Sequence, residues 1–210
     1  MTVSLISYTE NPEHVAGMAA ATCTRSSNYE QSLKHAMAGG HESVLEHVVF
    51  TFKIEGVSRV LLAQLTRHRI ASYSVESQRY CDMGYFPVTV PQSIDEHPEF
   101  RKAFFDLVDR TTELYREMVA AGIPMEDARY ITPQAAWTNL VLTMNARELR
   151  HFFSLRCCNR AQWEIREMAY KMLQICRGKA PTIFADAGPG CVRGQCPEER
   201  PCGDPRRSGK

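Results

Sequence analysis

"HVVFTFKIEGVSRVLLAQLTRHR", residues 47–69, changes its period halfway along. Up to Gly56 the residues alternate: Phe50, Phe52 and Ile54 share one face, and Thr51 and Lys53 the other. A repeat of two is that of a half-buried strand. From Ser58 the repeat turns helical. Ser58 is placed to cap a helix over 58–69, with Val60, Leu61 and Leu65 on its inner face. Gln64, Arg67 and His68 then gather on another face at i, i+3 and i+4. A strand that feeds a helix, without regular βαβ repetition, predicts an α+β fold: a mixed or antiparallel sheet flanked by helices.

The flanking segments extend that pattern. Val3–Tyr8 alternates well enough for a short strand, and Asn11-Pro12 reads as a cap followed by a first-turn proline. A helix is expected from Tyr29 to Met37, ended by Gly39-Gly40. The stretch 70–98 holds Gly84, Pro87, Pro91 and Pro98 and reads as loop. Residues 99–121 make the clearest helix, with Phe100, Phe104, Leu107, Val108, Leu114, Tyr115 and Met118 as its stripe. "AAWTNLVLTM" suggests a strand, after which Asn145 and Glu148 stand at capping-box spacing. A further amphipathic helix is expected over 160–176, stopped by Gly178 and Pro181. The last 25 residues carry four prolines and five glycines and lack periodicity; they are expected to be ordered only if something ties them down.

The totals exclude several classes. With 44% hydrophobic and 23% charged residues, the 210-residue chain is an ordinary globular sequence. A net charge of +1 supplies no general field for nucleic acid or a membrane surface. No stretch nears the roughly 20 apolar residues of a membrane span. The first residues lack the basic and long apolar regions of a signal peptide, so a cytoplasmic protein with mostly reduced thiols is expected.

Charge is concentrated in "RHRIASYSVESQRY", residues 67–80. Three cations in a row at a helix end complement the helix dipole. The hydroxyls that follow, and Arg79, add what a phosphate needs: forked guanidinium donors, O–H groups and loop N–H groups. Glycines are missing, so no Walker pattern is present, and a small phosphorylated molecule is favoured over a nucleoside triphosphate. Ser77 in such a basic setting is a candidate nucleophile.

Arg67-His68-Arg69, seven residues and then Ser77 resembles the signature of the flavin-dependent thymidylate synthases. "HESVLEHVVFTF" (41–52), "EDARYITP" (126–133), "MNARELRHFFSLR" (144–156) and "AQWEIREMA" (161–169) are similar to other blocks of that family, in the same order. The resemblance covers about residues 1–185, which it implies form one catalytic domain, leaving 186–210 as a Cys/Gly/Pro-rich tail. It implies conversion of dUMP to dTMP, with methylenetetrahydrofolate as carbon donor and FAD, reduced by NADPH, as hydride source. It also implies a homotetramer with active sites where subunits meet, and no catalytic cysteine.

Carried over by position, the resemblance assigns flavin contacts to Ser43, Arg67, His68, Arg69, Asn145, Arg147 and His151. It assigns dUMP contacts to Gln64, Arg67, Glu76, Ser77, Gln78, Arg79, Arg129 and Arg156, so Ser77 becomes a positioning residue. Arg156 lies nine residues past Arg147, which on one helix points it roughly the opposite way. The matching family residue faces the uracil ring, where a guanidinium stabilises charge on the N3/O4 side; Arg156 is the expected catalytic residue. Val75 departs from the family's usual Glu or Gln, and Arg160 replaces a histidine found in some members.

Two readings compete: a module gripping nucleic-acid backbone through 67–80, and a flavoenzyme on another phosphorylated substrate. The near-zero net charge and absence of a wider basic patch argue against the first. Cys191-x4-Cys196-x5-Cys202 matches no paired CxxC zinc signature. Free thiols or disulfides are expected there, with a structural metal recruiting Cys157 or Cys158 as the alternative; no catalytic metal is expected.

Overall fold

The computed structural model describes residues 1–194 and 196–204. Gln195 and residues 205–210, part of the Cys/Gly/Pro-rich tail, lie outside the described residues. The chain runs β1 (Thr2–Tyr8), α1 (Pro12–Thr24), α2 (Tyr29–Ala38), a 3-10 turn (Glu42–His47), β2 (Val49–Ser58), α3 (Arg59–Leu65) and β3 (Ala71–Val75). It continues through α4 (Gln92–Asp95), α5 (Pro98–Ala120), α6 (Met125–Ala128), β4 (Trp137–Asn145), α7 (Ala146–Arg156), α8 (Trp163–Lys179) and α9 (Pro181–Phe184). The four strands form an antiparallel sheet in the order β1-β2-β4-β3, so the fold is α+β as expected.

The chain divides into two compact units. The larger comprises Val3–Lys53, Leu65–Tyr73 and the chain from Val141 onward; the smaller comprises Met1–Thr2, Ile54–Gln64 and Ser74–Leu140.

In the larger unit the alternation of β2 does what its pattern predicts: Phe50 and Phe52 are fully buried. Phe50 meets Phe184 edge-on at 5.6 Å, and Phe184 meets Phe153 at 6.0 Å. Each such ring, fully buried, is worth about 1.5–3 kcal/mol. Gly17 lets α1 lie against the start of α2, because a Cβ there would stand 2.5 Å from the Tyr29 carbonyl oxygen. The smaller unit packs Met83, Phe86, Val108, Tyr115, Ala128 and Ala136 together.

Several local expectations need correction. Asn11 precedes α1 in the left-handed region (φ 49°) and makes no side-chain cap. Ser58 does cap α3, its Oγ accepting from the Leu61 N–H at 3.1 Å. That helix stops at Leu65, short of residue 69, because the Leu65 carbonyl is taken by the His68 N–H and by the Tyr73 hydroxyl. Arg67, His68 and Arg69 therefore stand beyond the helix. Val60 is 40% exposed although Leu61 and Leu65 are fully buried.

The stretch 70–98 is not all loop, since Ala-Ser-Tyr-Ser-Val forms β3 and Gln92–Asp95 a helical turn. Alternate serines hide the strand from a hydrophobicity count, although the period of two is present. On α5 Val108 and Tyr115 are buried, whereas Phe100 and Leu107 are more than half exposed. Helix α8 begins at Trp163, capped by Gln162, and runs through Gly178. At the start of the tail, Arg150 donates to the Ile183 carbonyl and Arg177 to the Phe184 and Ala187 carbonyls, which ties down 183–187.

Candidate active site

The larger unit holds all seven residues expected at the flavin. Asn145 ends β4 with an extended backbone, and its Oδ1 accepts from the Glu148 N–H at 2.8 Å, starting α7. The Glu148 carboxylate is turned to His68 instead of completing a reciprocal capping box. His68 and Glu148 are both nearly fully buried, and His68 Nδ1 lies 3.0 Å from Glu148 Oε1. On the other side of the ring, Arg156 Nε donates to His68 Nε2 at 3.0 Å.

That arrangement fixes the tautomer. A guanidinium has donors and no acceptor, so Nε2 must offer its lone pair. The ring proton is then on Nδ1 and is donated to Glu148. Burial is the main influence lowering the His68 pKa and the Arg156 cation adds to it, while the Glu148 carboxylate opposes them. His68 is thus held neutral. A second proton on Nε2 would face the Arg156 N–H.

The chain has further support. Tyr73 Oη lies 2.8 Å from the carbonyl oxygens of both Leu65 and His68, fixing the backbone on which His68 sits. Burial, with Glu148 adding its charge, pushes the Tyr73 phenol up to about 12. Burial first and Arg67 second lower the pKa of Arg156, without removing its charge.

Asn145, Arg147, Glu148 and His151 line a cavity of about 480 Å³ together with Ile70 and Glu46. Arg147 pairs with Glu46 across it. Arg67 and Arg69 are exposed. Ser43 lines a different cavity, of about 470 Å³, with His35 and His41. Arg147 and Arg156 begin and end α7 and engage different partners, as their helical phase predicts.

The residues expected at dUMP divide between the units. Gln64, Glu76, Ser77, Gln78, Arg79 and Arg129 belong to the smaller, and Arg67 and Arg156 to the larger. In the smaller unit Ser77 opens a turn: its carbonyl accepts from the N–H groups of Tyr80 and Cys81, and its Oγ from that of Arg79. Arg79 pairs with Glu126 at 2.7 Å, and Arg129 Nε donates to the Glu126 carbonyl at 3.0 Å. Beside the departure at Val75, Glu76 accepts from Asn139 Nδ2 at 2.5 Å, so its carboxylate is already engaged.

Gln78 is 7% exposed. Its Oε1 faces the Thr132 hydroxyl at 3.5 Å, while its Nε2 has no hydrogen-bond partner. A buried amide donor left unpaired costs about 1–3 kcal/mol.

Some residues of these clusters were not singled out by sequence pattern. Glu148 was legible only as a capping residue. The buried Arg150 pairs with two partly exposed carboxylates, its Nη1 2.6 Å from Asp186 and its Nε 2.9 Å from Glu42. Arg59 stands close enough to Arg129 and Glu76 to feel both, although burial is the chief influence lowering its pKa. No spacing signal marks these partners, because they come from separate segments.

Among the described residues no helix is long and apolar enough to cross a membrane. Residues 4–182 match the family described as "Thymidylate synthase complementing protein". A flavin-dependent thymidylate synthase of Geobacter sulfurreducens is 48% identical over 212 aligned positions, covering 94% of this chain and 91% of the relative. Relatives of the same name from Clostridium tetani and Pyrococcus furiosus are 41% and 43% identical, each covering 93% of this chain and 90% and 89% of their own. With the match running from β1 through α9, and so across both residue clusters, the chain belongs to the flavin-dependent thymidylate synthase family.

Proposed function

We propose that this protein converts dUMP to dTMP, taking carbon from methylenetetrahydrofolate and using FAD reduced by NADPH. The observation that carries this reading is the gathering of Asn145, Arg147 and His151 on one cavity, in the unit that also holds Ser43, Arg67, His68 and Arg69. These seven would hold the flavin, whose polar rim and phosphates suit arginine forks and an amide. Bound FAD supplies hydride chemistry that no side chain can provide.

Gln64, Glu76, Ser77, Gln78, Arg79 and Arg129, with Arg67 and Arg156, would hold dUMP. The unpaired Gln78 amide supports this, since a pyrimidine carbonyl or a phosphate oxygen would satisfy it. Arg156 is the catalytic residue in this reading. Its guanidinium stabilises negative charge developing on the uracil, and His68, held neutral by burial and oriented by Glu148, holds its Nε in place.

Residues 1–185 act as one catalytic domain in a cytoplasmic homotetramer with active sites at subunit interfaces. The exposed Phe100 and Leu107 on α5 support burial against other subunits.

The purified protein is expected to be yellow. Under anaerobic conditions NADPH should bleach it, and methylenetetrahydrofolate should restore the colour with dTMP formation only when dUMP is present. Failure to take up FAD, or recolouring without dTMP, would overturn the assignment. Faster turnover on another nucleotide would favour a flavoenzyme of different specificity.

A further inference from the structure

Four of the eight cysteines face one space. Cys158, Cys191, Cys196 and Cys202 line a cavity of about 380 Å³ in the larger unit. Three of them lie beyond residue 182, where the family match ends. Cys157, the neighbour of Cys158, is fully buried in the core and does not line the cavity. None of the eight cysteines is joined in a disulfide.

The cavity they share bears on what they hold. A single zinc ion sits about 2.3 Å from each thiolate, so its four sulfurs must crowd together. Among the described residues no three Cys, His, Asp or Glu side chains form a group that could hold one ion. The cavity also exceeds by about tenfold the roughly 30 Å³ share of one water molecule. Four cysteines on one cavity match in number the ligands of an iron–sulfur cube, which carries its own sulfides between the metals.

The surroundings add to this. Asn159 Nδ2 lies 3.8 Å from Cys202 Sγ, the kind of N–H···S contact that stabilises a ligating thiolate. Arg160 also lines the cavity and places a cation beside what would be an anionic cluster, although it shares that charge with Glu198 at 3.5 Å. Cys191, Cys196 and Cys202 lie among Gly190, Gly194, Gly203 and three prolines, which leave the backbone room to approach a bulky inorganic group.

We propose that Cys158, Cys191, Cys196 and Cys202 bind a [4Fe–4S] cluster in this cavity. Uptake balances as ligand exchange: two ferrous and two ferric ions join four sulfides, the four thiols lose their protons to solvent, and each iron–thiolate bond replaces an iron–water bond, so no oxidation state changes. The inference is independent of the proposed reaction, because it is read by metal content and not by dTMP.

The test is iron and acid-labile sulfide analysis of the full-length flavoprotein, purified anaerobically and then incubated with iron salts and sulfide under reductant. About four irons and four sulfides per chain are expected, with an electron paramagnetic resonance signal after dithionite reduction. Cys158→Ala/Cys202→Ala should lower iron at least tenfold, while Cys23→Ser, outside the cavity, should leave it unchanged. Far-ultraviolet circular dichroism checks that the double variant is folded. One zinc per chain without sulfide, no metal uptake by the unaltered protein, or full iron in the folded double variant would each overturn the proposal.

Discussion

Glu148→Leu tests the buried chain that runs from Glu148 through His68 to Arg156. Leucine keeps much of the side-chain volume, so the cavity left behind is small. It removes the acceptor that His68 Nδ1 reaches at 3.0 Å. The ring cannot recover by moving its proton, because Nε2 is held as an acceptor by Arg156. The Nδ1–H group is then buried without a partner, at a cost of about 1–3 kcal/mol. The start of α7 is untouched, since Asn145 bonds the backbone of residue 148 and not its side chain. Glu148→Gln is the control. Its amide oxygen still accepts from Nδ1, and the expected loss is below about 1 kcal/mol.

Urea unfolding at one fixed protein concentration measures both variants, since stability in an oligomer depends on concentration. The midpoint should fall clearly for leucine and slightly for glutamine, with unchanged slope. Nitrogen-15 spectra of labelled histidine give a second readout. They should report the Nδ1–H tautomer in the parent and in Glu148→Gln. Equal midpoints for the two variants, or an Nε2–H tautomer in the parent, would refute the reasoning.

Stability should fall on acidification through His68. Its folded pKa lies below the ordinary value of about 6.5, so the unfolded chain binds the proton first. The penalty is absent above about pH 7 and grows by up to about 1.4 kcal/mol per unit below pH 6.5, until the folded pKa is passed; His68→Gln should flatten that part of the curve. Gln78→Leu should leave urea stability within about 1 kcal/mol, because it removes an unpaired donor, yet raise KM for dUMP at least tenfold. Asp186→Ala should cost about 1.5 kcal/mol by chemical denaturation, because it removes a partly exposed carboxylate from the buried Arg150 guanidinium, which keeps Glu42. Arg156→Ala should abolish dTMP formation while FAD stays bound, as read by flavin absorbance after gel filtration; near-normal turnover would remove Arg156 from its catalytic role.

The α+β fold was legible where a segment carried one period on one face. Strand β2 and helices α2 and α7 appear where alternation, caps and breakers put them. The failures have particular causes. Strand β3 is hidden because its outward positions are serines and the glycine and prolines at 84–98 mark the wider stretch as loop, while strand pairing decides. The helical pattern over 58–69 outruns α3, which ends at Leu65 because a distant hydroxyl, that of Tyr73, competes for the Leu65 carbonyl. The stripe on α5 was identified correctly as apolar but not as uncovered, because periodicity says which residues share a face and not what lies against it.

The candidate site was legible in its cations and almost silent in its anions. Arg79, Arg147 and Arg156 stand in recognisable positions, but each acquires its orientation from a partner elsewhere: Glu126 for Arg79, Glu46 for Arg147 and His68 for Arg156. Spacing on α7 did separate Arg147 from Arg156, and they do engage different groups. It could not show that His68, read as one of three basic residues at a helix end, is the neutral member. A run of Arg-His-Arg suggests three charges; burial beside Arg156 removes the middle one. The histidine then accepts a hydrogen bond where a cation would repel one, and that conversion from charge to acceptor is what fixes the Nε of Arg156.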